Sequence, residues 1–137
     1  NEPFMLTYGD GVSDIDITKL IKFHKDHGKD ATLTATYSPA RFGALEIQDN
    51  QIMQFTEKPK GDGALINGGF FVLSPNVLDR ITGDDCIWEQ APLKSLSIDG
   101  NLMAYKHEGF WQPMDTLRDM SYLQDLWDKD EAPWKIW

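Results

Sequence analysis

Cysteine is nearly absent from the sequence, since Cys86 is the only one among 137 residues. An internal disulfide and a zinc site built from several thiolates are therefore excluded. Long apolar runs are absent as well, because no stretch approaches the roughly 20 residues that cross a bilayer. No segment resembles a signal peptide, so we expect a cytoplasmic protein with no membrane partner.

Positive charge is also scarce, because 13 Lys and Arg residues stand against 22 Asp and Glu residues and give a net charge of −9. A protein that binds duplex nucleic acid normally presents a basic face to the phosphates. The acidic excess therefore argues against DNA or RNA as a partner. A small phosphorylated ligand stays open, since a bound divalent cation can reverse the local charge.

What is present is an ordinary globular composition, with 41% apolar and 26% charged residues in about one domain's length. No repeat, low-complexity tract or linker divides the chain, so we expect one structural unit. The chain opens on Asn1 without an initiator Met and leads at once into the apolar residues 4–8. A chain cut just before a buried strand begins in this way, so we expect a fragment.

The first third of the chain predicts a strand, a helix and a second strand. Residues 4–8 form a short apolar strand, which the turn Gly9-Asp10-Gly11 ends. Asp16 can cap a helix with apolar positions at helical spacing, and Gly28 can end it. Residues 32–37 alternate between threonines and apolar side chains, which predicts a strand with two different faces. This order predicts a crossover unit with a parallel strand pair.

The rest of the chain predicts shorter strands and helices. They are a hairpin of residues 44–48 and 52–55, a strand 65–73, a short helix 75–81, a helical stretch 87–98 and a strand 102–107. A last helix follows Thr116, which forms a capping-box pattern with Asp119. The pair Gly68-Gly69 inside a strand predicts a bulge or a close approach by a ligand or backbone. The tail is too apolar for a free end, so we expect Trp134 and Trp137 to be packed. Together the elements predict an α/β fold with a mixed sheet.

Two aspartates stand where extended segments end. Asp10 lies in the turn after the first strand, and Asp115 directly precedes Thr116. Ligands of open α/β sheets gather at the carboxyl ends of strands, and two carboxylates delivered there suit Mg²⁺. If the sheet brings these ends together, we expect both carboxylates on one face. The alternatives are a simple Asp-Gly turn for Asp10 and a favourable charge at a helix N-terminus for Asp115.

Three further polar residues suit a sugar phosphate. Lys58 can pair with a phosphate, and Glu57 can accept hydrogen bonds from sugar hydroxyls. Asn67 offers both a donor and an acceptor to a ligand with many hydroxyls. The alternatives are a solvated charge pair for Glu57 and Lys58, and a structural hydrogen bond from Asn67 to the bulge.

Five segments occur in an order that is specific when taken together. They are Tyr8-Gly9-Asp10-Gly11, Arg41-Phe42-Gly43, Glu57-Lys58-Pro59, Ile66-Asn67-Gly68-Gly69-Phe70-Phe71 and Trp111-Gln112-Pro113-Met114-Asp115-Thr116. With them the chain resembles the sugar-nucleotide pyrophosphorylases, a nucleotidyltransferase family, over essentially all of its length. The resemblance implies a Rossmann-like nucleotide-diphospho-sugar transferase fold with a mixed sheet.

Residues 67–73 and 110–119 are the most specific part of the resemblance, and they imply a particular reaction. CTP and α-D-glucose 1-phosphate would give CDP-glucose and pyrophosphate, with Mg²⁺ neutralising phosphate charge. The match to the family motif implies that Asp10 and Asp115 are metal ligands. It also implies that Asp10, Lys58 and Asp115 are the catalytic residues. The implied substrate-binding residues are Gly9, Gly43, Glu57, Lys58, Asn67 and Gly68.

The family's glycine-rich nucleotide loop is missing from the sequence. We therefore expect residues 1–137 to be the C-terminal, sugar-phosphate-binding half of one nucleotidyltransferase domain, inactive when isolated. The resemblance and the aromatic tail also favour a homo-oligomer of the full-length protein. A non-catalytic sugar-phosphate-binding or regulatory module is the alternative function. The presence of both Asp10 and Asp115 favours the catalytic function, because a module that only binds sugar phosphate has less need of two carboxylates that hold a metal ion.

Overall fold

The computed structural model describes residues 1–37, 43–59 and 65–137, with the backbone alone described for residues 43, 44, 46 and 55–59. The strands in these ranges are β1 (Phe4–Thr7), β2 (Gly11–Ser13), β3 (Ala31–Tyr37), β4 (Gly43–Gln48), β5 (Gln51–Pro59), β6 (Leu65–Leu73), β7 (Leu102–Lys106) and β8 (Trp111–Pro113). The helices are α1 (Ile17–His27), α2 (Ala91–Ile98), α3 (Leu117–Asp128) and a 3₁₀ helix at Pro75–Arg80. None of the helices in these ranges has the length and hydropathy that crossing a membrane requires.

Six of the strands form a mixed sheet in the order β1-β6-β3-β7-β5-β4. β6 runs antiparallel to both β1 and β3, whereas β3 and β7 are parallel. The predicted α/β fold with a mixed sheet is therefore confirmed. β1 and β3 run in the same direction, but the predicted direct pairing between them is wrong because β6 lies between them. Most of β6 is buried, which suits a strand with neighbours on both sides.

β4 and β5 form the predicted hairpin, whose turn holds Asp49-Asn50 at φ values of 50° and 65°. Such positive φ values at both central residues belong to a tight hairpin turn. The hairpin joins the rest of the sheet at both of its ends. Ala44 lies opposite Ile66 of β6, and Gln51 lies opposite Met103 of β7.

The sheet has an apolar core on each face, because the two faces of β3 carry different side chains. Leu33 and Ala35 face the main core with α2 and the 3₁₀ helix, whereas Thr32 faces α1. The main core consists of Ala31, Leu33, Ala35, Ile52, Phe71, Leu73, Val77, Leu93, Leu96, Leu102 and Ala104. The smaller core beneath α1 consists of Ile15, Leu20 and Val72.

Two helices begin or end where the sequence predicts. The Asp16 carboxylate accepts a hydrogen bond from the backbone N–H of Lys19 at 3.0 Å, and Gly28 ends α1 with φ of 68°. At the start of α3 the Thr116 hydroxyl accepts from the backbone N–H of Asp119 at 3.1 Å. The Asp119 carboxylate accepts in return from the backbone N–H of Thr116 at 3.2 Å. These reciprocal bonds form a capping box, which fixes the position where α3 begins.

The C-terminal tail is only partly packed. The Trp134 ring lies 5.7 Å from the ring of Phe110 and stacks on Trp127 at 6.5 Å. Trp137 is 82% exposed. The expectation that both tryptophans are packed is therefore right for Trp134 and wrong for Trp137. The stacked rings end at Trp134, and Trp137 lies three residues further along the chain, where it is largely exposed.

Candidate active site

The candidate residues collect at one end of the six-stranded sheet. β1, β3 and β7 end there, and the antiparallel β6 begins there, since Thr7 lies opposite Phe70 and Ala35 lies opposite Asn67. Asp10 follows closely after β1, and Asn67 lies near the start of β6. This is the end where open α/β sheets bind their ligands.

β2 and β8 form a separate antiparallel ribbon at this end, which we call the β2–β8 ribbon. Gly11 lies opposite Pro113, and beyond this pair the backbone N–H of Met114 donates to the carbonyl of Asp10 at 2.7 Å. The ribbon thus places Asp10 just before one of its strands and Asp115 just after the other. The sequence analysis did not predict this pairing.

The pairing of β2 with β8 brings Asp10 and Asp115 close together, near enough for each carboxyl group to affect the other. Both residues are exposed. Partial desolvation, the contact with Asp10 and the negative charges of Asp10 and Asp119 raise the pKa of Asp115 above its ordinary value. Two ionised carboxylates this close repel each other, and a cation between them removes the repulsion.

The pair fits a divalent cation that takes oxygen ligands. No ion pair among the described residues involves Asp10 or Asp115. Nor does the described part of the chain hold three or more His, Cys, Asp or Glu side chains placed to bind a metal together. Mg²⁺ in proteins takes one or two carboxylates and completes its shell with water and substrate phosphates. Two carboxylates, with no such larger cluster among the described residues, suit that pattern, and their role as ligands stays a prediction.

Asp119 holds the backbone of Asp115 in place. Its Oδ2 accepts hydrogen bonds from the backbone N–H groups of Asp115 at 3.1 Å and Thr116 at 3.2 Å. Its Oδ1 accepts from Nε2 of Gln112 at 3.4 Å. The sequence predicts Asp119 as a capping residue, and the structure adds that it also fixes a candidate metal ligand.

Asn67 makes the structural hydrogen bond that was its alternative role. Its Oδ1 accepts from the backbone N–H of Gly69 at 2.8 Å, and its Nδ2 donates to the hydroxyl of Tyr8 at 3.1 Å. The side chain is therefore held in one orientation at the end of the sheet where Asp10 lies. Its contact with a sugar stays a prediction.

Gly68 and Gly69 form the predicted bulge, because the register between β3 and β6 shifts beside Thr34. A Cβ at Gly68 would lie 3.0 Å from the carbonyl oxygen of Thr34. Gly69 has φ of 77°, and a Cβ there would lie 2.8 Å from the ring of Tyr8. Gly9 is exposed and has open space around it. The substrate contacts of Gly9 and Gly68 stay predictions.

The remaining candidates are described only through their backbone. Gly43 pairs with Pro59 at the start of β4, next to the bridge between β4 and β6, so the backbone of this hairpin end reaches the same end of the sheet. The side chains of Glu57 and Lys58 lie outside the described part of the structure. Residues 41–42 of the motif lie outside it altogether.

Sequence reasoning missed two polar contacts at this end of the sheet. Nε1 of Trp111 donates to the carbonyl of Gly68 at 2.8 Å, and this bond ties β8 to the bulge. Nε2 of His107 lies 2.8 Å from Oδ1 of Asp14. His107 and Asp14 are 93 positions apart, so no local pattern links them. Trp111 belongs to one of the five motif segments, so the sequence already indicated that this residue lies near the site.

The fold and the carboxylate pair define a class of protein. It is an α/β domain with a mixed sheet that presents paired acids at the carboxyl ends of its strands, an arrangement suited to a phosphorylated ligand with a divalent cation. Residues 1–127 match the model of the family described as nucleotidyl transferase, and the chain belongs to this family.

Known members extend the comparison to particular proteins. The chain is 64% identical over 137 residues to a glucose-1-phosphate cytidylyltransferase of Salmonella typhi, and it covers 53% of that protein. It is 41% identical over 138 aligned residues to a probable glucose-1-phosphate cytidylyltransferase of Bacillus subtilis, of which it covers 54%. Its fold matches the crystal structure of HddC from Yersinia pseudotuberculosis with a TM-score of 0.78 at 20% identity, over 93% of this chain and 56% of that one. The chain thus spans about half the length of the curated relatives it matches.

Proposed function

We propose that the protein containing this chain transfers a cytidylyl group from CTP to α-D-glucose 1-phosphate and releases CDP-glucose and pyrophosphate. The observation that carries the proposal is the pairing of β2 with β8, which brings Asp10 and Asp115 together at the strand ends of a nucleotidyl transferase fold. The names of the two relatives described above support the choice of substrates. Because CTP and sugar phosphates are charged metabolites, we place the reaction in the cytoplasm.

In the proposed reaction a phosphate oxygen of glucose 1-phosphate attacks the α-phosphorus of CTP. The new P–O bond forms as the bond to the β-phosphate breaks, and pyrophosphate leaves with that electron pair. Asp10 and Asp115 would hold Mg²⁺, which when bound offsets the negative charge on the phosphates. Lys58 would pair with the sugar phosphate, while Asn67 and Glu57 would orient the sugar. No general base is required, because the phosphate oxygen is already ionised and needs only positioning.

We also propose that residues 1–137 form the C-terminal, sugar-phosphate-binding half of one domain. β1 is an edge strand that pairs only with β6 among the described strands. Its residues Met5 and Leu6 and the neighbouring Ile17 are 57%, 37% and 38% exposed. An exposed apolar edge is a template for another strand. A nucleotide-binding half that added a strand to β1 would cover this edge and bring the triphosphate next to Asp10.

The proposal is tested by Lys58→Ala in the intact protein. Loss of one charge-assisted contact should raise KM for glucose 1-phosphate about 10- to 100-fold, with little change in KM for CTP. Lys25→Ala, on the exposed face of α1, is the matched control and should change neither constant. Equal increases for both substrates would contradict the assigned role. Binding of glucose 1-phosphate without any turnover of CTP would instead identify a non-catalytic sugar-phosphate-binding module.

A homo-oligomer of the full-length protein is proposed as well. Ile136 and Trp137 at the end of the tail are 65% and 82% exposed, which is unusual for large apolar side chains. Deleting residues 135–137 keeps the stack of Trp134 on Trp127 and removes this apolar end. Analytical ultracentrifugation should then show a smaller species, and an unchanged sedimentation coefficient would contradict the proposal.

A further inference from the structure

The β2–β8 ribbon is too short to hold its own position. It contains three residue pairs, from Gly11–Pro113 to Ser13–Trp111, and an isolated two-stranded ribbon is marginal in water even when it is longer. Its placement relative to the six-stranded sheet must therefore come from contacts outside the ribbon. Because Asp10 and Asp115 lie at one end of the ribbon, those contacts also set where the two carboxylates stand.

His107 makes such a contact at the opposite end of the ribbon. Its backbone N–H donates to the carbonyl of Ala35 on β3 at 2.9 Å, which attaches the residue to the main sheet. Its ring Nε2 lies 2.8 Å from Oδ1 of Asp14 and 3.2 Å from the carbonyl of Phe110, the residues that follow β2 and precede β8. One side chain therefore links the sheet to both strands of the ribbon.

The chemistry of these partners fixes the position of one ring hydrogen. The Asp14 carboxylate and the Phe110 carbonyl only accept hydrogen bonds, so Nε2 of His107 must carry a hydrogen and donate it. The side chains of His107 and Asp14 are 12% and 30% exposed, so the contact is partly shielded from water. A Cβ at Gly109 would lie 2.5 Å from Oδ1 of Asp14 and 2.8 Å from the His107 ring, so only glycine lets the loop pass this closely.

The Ser13 hydroxyl strengthens the same end of the ribbon. It donates to the carbonyl of Phe110 at 2.7 Å, and the backbone N–H of Asp14 donates to that carbonyl at 3.3 Å. Three groups thus converge on one carbonyl oxygen, and His107 is the one among them that is attached to β3. The distance from this cluster to Asp10 is about 13 Å along an extended strand.

We infer that His107 is a positioning residue, which sets the spacing of Asp10 and Asp115 by clamping the far end of the β2–β8 ribbon to the six-stranded sheet. The inference rests on the proposed role of the two aspartates as ligands of a divalent cation. Residues that orient metal ligands through hydrogen bonds affect metal affinity although they do not touch the metal. No substrate contact is assigned to His107.

The test measures Mn²⁺ affinity by electron paramagnetic resonance in the intact protein, with α,β-methylene CTP present so that no transfer occurs. His107→Leu removes the donor and should weaken Mn²⁺ binding about tenfold. His107→Gln keeps a side-chain N–H and should recover most of the affinity. Asp14→Asn, which keeps the shape of the partner but removes its charge, should give an intermediate loss and replaces His107→Leu if that variant does not fold.

Asp115→Asn separates failure of this inference from failure of the proposed function. If Asp115→Asn binds Mn²⁺ as tightly as the unaltered protein, the metal role is wrong and the positioning role falls with it. If Asp115→Asn loses binding while folded His107→Leu or Asp14→Asn keeps full affinity, only the positioning role is overturned. A lower melting temperature of His107→Leu with unchanged Mn²⁺ affinity would likewise mark a merely structural contact.

Discussion

Lowering the pH from about 7 to about 4 should destabilise the fold through His27, at the C-terminal end of α1. Thr32 Oγ1 lies 2.9 Å from Nδ1 of His24 and 2.6 Å from Nε2 of His27. The backbone N–H of Lys29 donates to Nδ1 of His27 at 2.8 Å, so the neutral ring carries its hydrogen on Nε2 and donates to Thr32. Protonation of His27 places a second hydrogen on Nδ1 and breaks the bond from Lys29.

The magnitude follows from the pKa of this ring. Desolvation, followed by the charge of His24, lowers the pKa of His27 from 6.5 to about 4. The unfolded state therefore binds more protons between these two values, and stability falls as the pH drops through that window. The difference between the two pKa values corresponds to at most about 3.4 kcal/mol. Because the ring is only half-buried and water screens its charge, we expect a loss of about 1–2 kcal/mol.

Urea unfolding, followed by tryptophan fluorescence between about pH 7 and pH 4, measures the free energy of unfolding across this window. His27→Gln keeps a side-chain N–H for Thr32 but does not titrate, so it should lose about 1–2 kcal/mol less than the unaltered chain. Carboxylates that titrate in both proteins cancel in this difference. Equal losses in the two proteins would refute the reasoning.

Two further predictions concern the site. Asp115→Asn should lower turnover with Mg²⁺ at least about 100-fold, while the melting temperature holds or rises because repulsion with Asp10 is relieved. An unchanged kcat would contradict the metal role. Gly69→Ala should cost about 1–3 kcal/mol, because φ is 77° and the new Cβ meets the ring of Tyr8. Gly83→Ala, which has open space, is the matched control in thermal denaturation, and equal melting temperatures would contradict this account.

Local chemistry along the chain is enough to predict most of the elements. β6 is predicted with both of its ends, and the caps at Asp16, Gly28 and Thr116 are predicted from residue type and spacing. These features depend on neighbours within a few positions, where side-chain periodicity and capping chemistry act. The candidate aspartates are likewise found from their places at the ends of extended segments.

The arrangement of those elements depends on distant contacts that no local pattern contains. β2 has three residues, of which Val12 is the only large apolar one, so periodicity cannot mark it as a strand. The position of β6 between β1 and β3 depends on competition among buried strands rather than on chain order. His107 and Asp14 find each other only after the ribbon has formed. The proximity of Asp10 and Asp115 can therefore be seen only in the three-dimensional structure.

The β2–β8 ribbon also has a consequence for folding. Ser13 and Phe110 are 97 positions apart, and closing so long a loop loses chain entropy that three residue pairs recover poorly. Contacts with high sequence separation tend to form late, and weakly held segments open first. The aspartate pair should therefore assemble last and open before the sheet melts. Hydrogen exchange at the backbone N–H of Met114 would report this opening, and variants far from the site could lose activity while their sheets remain folded.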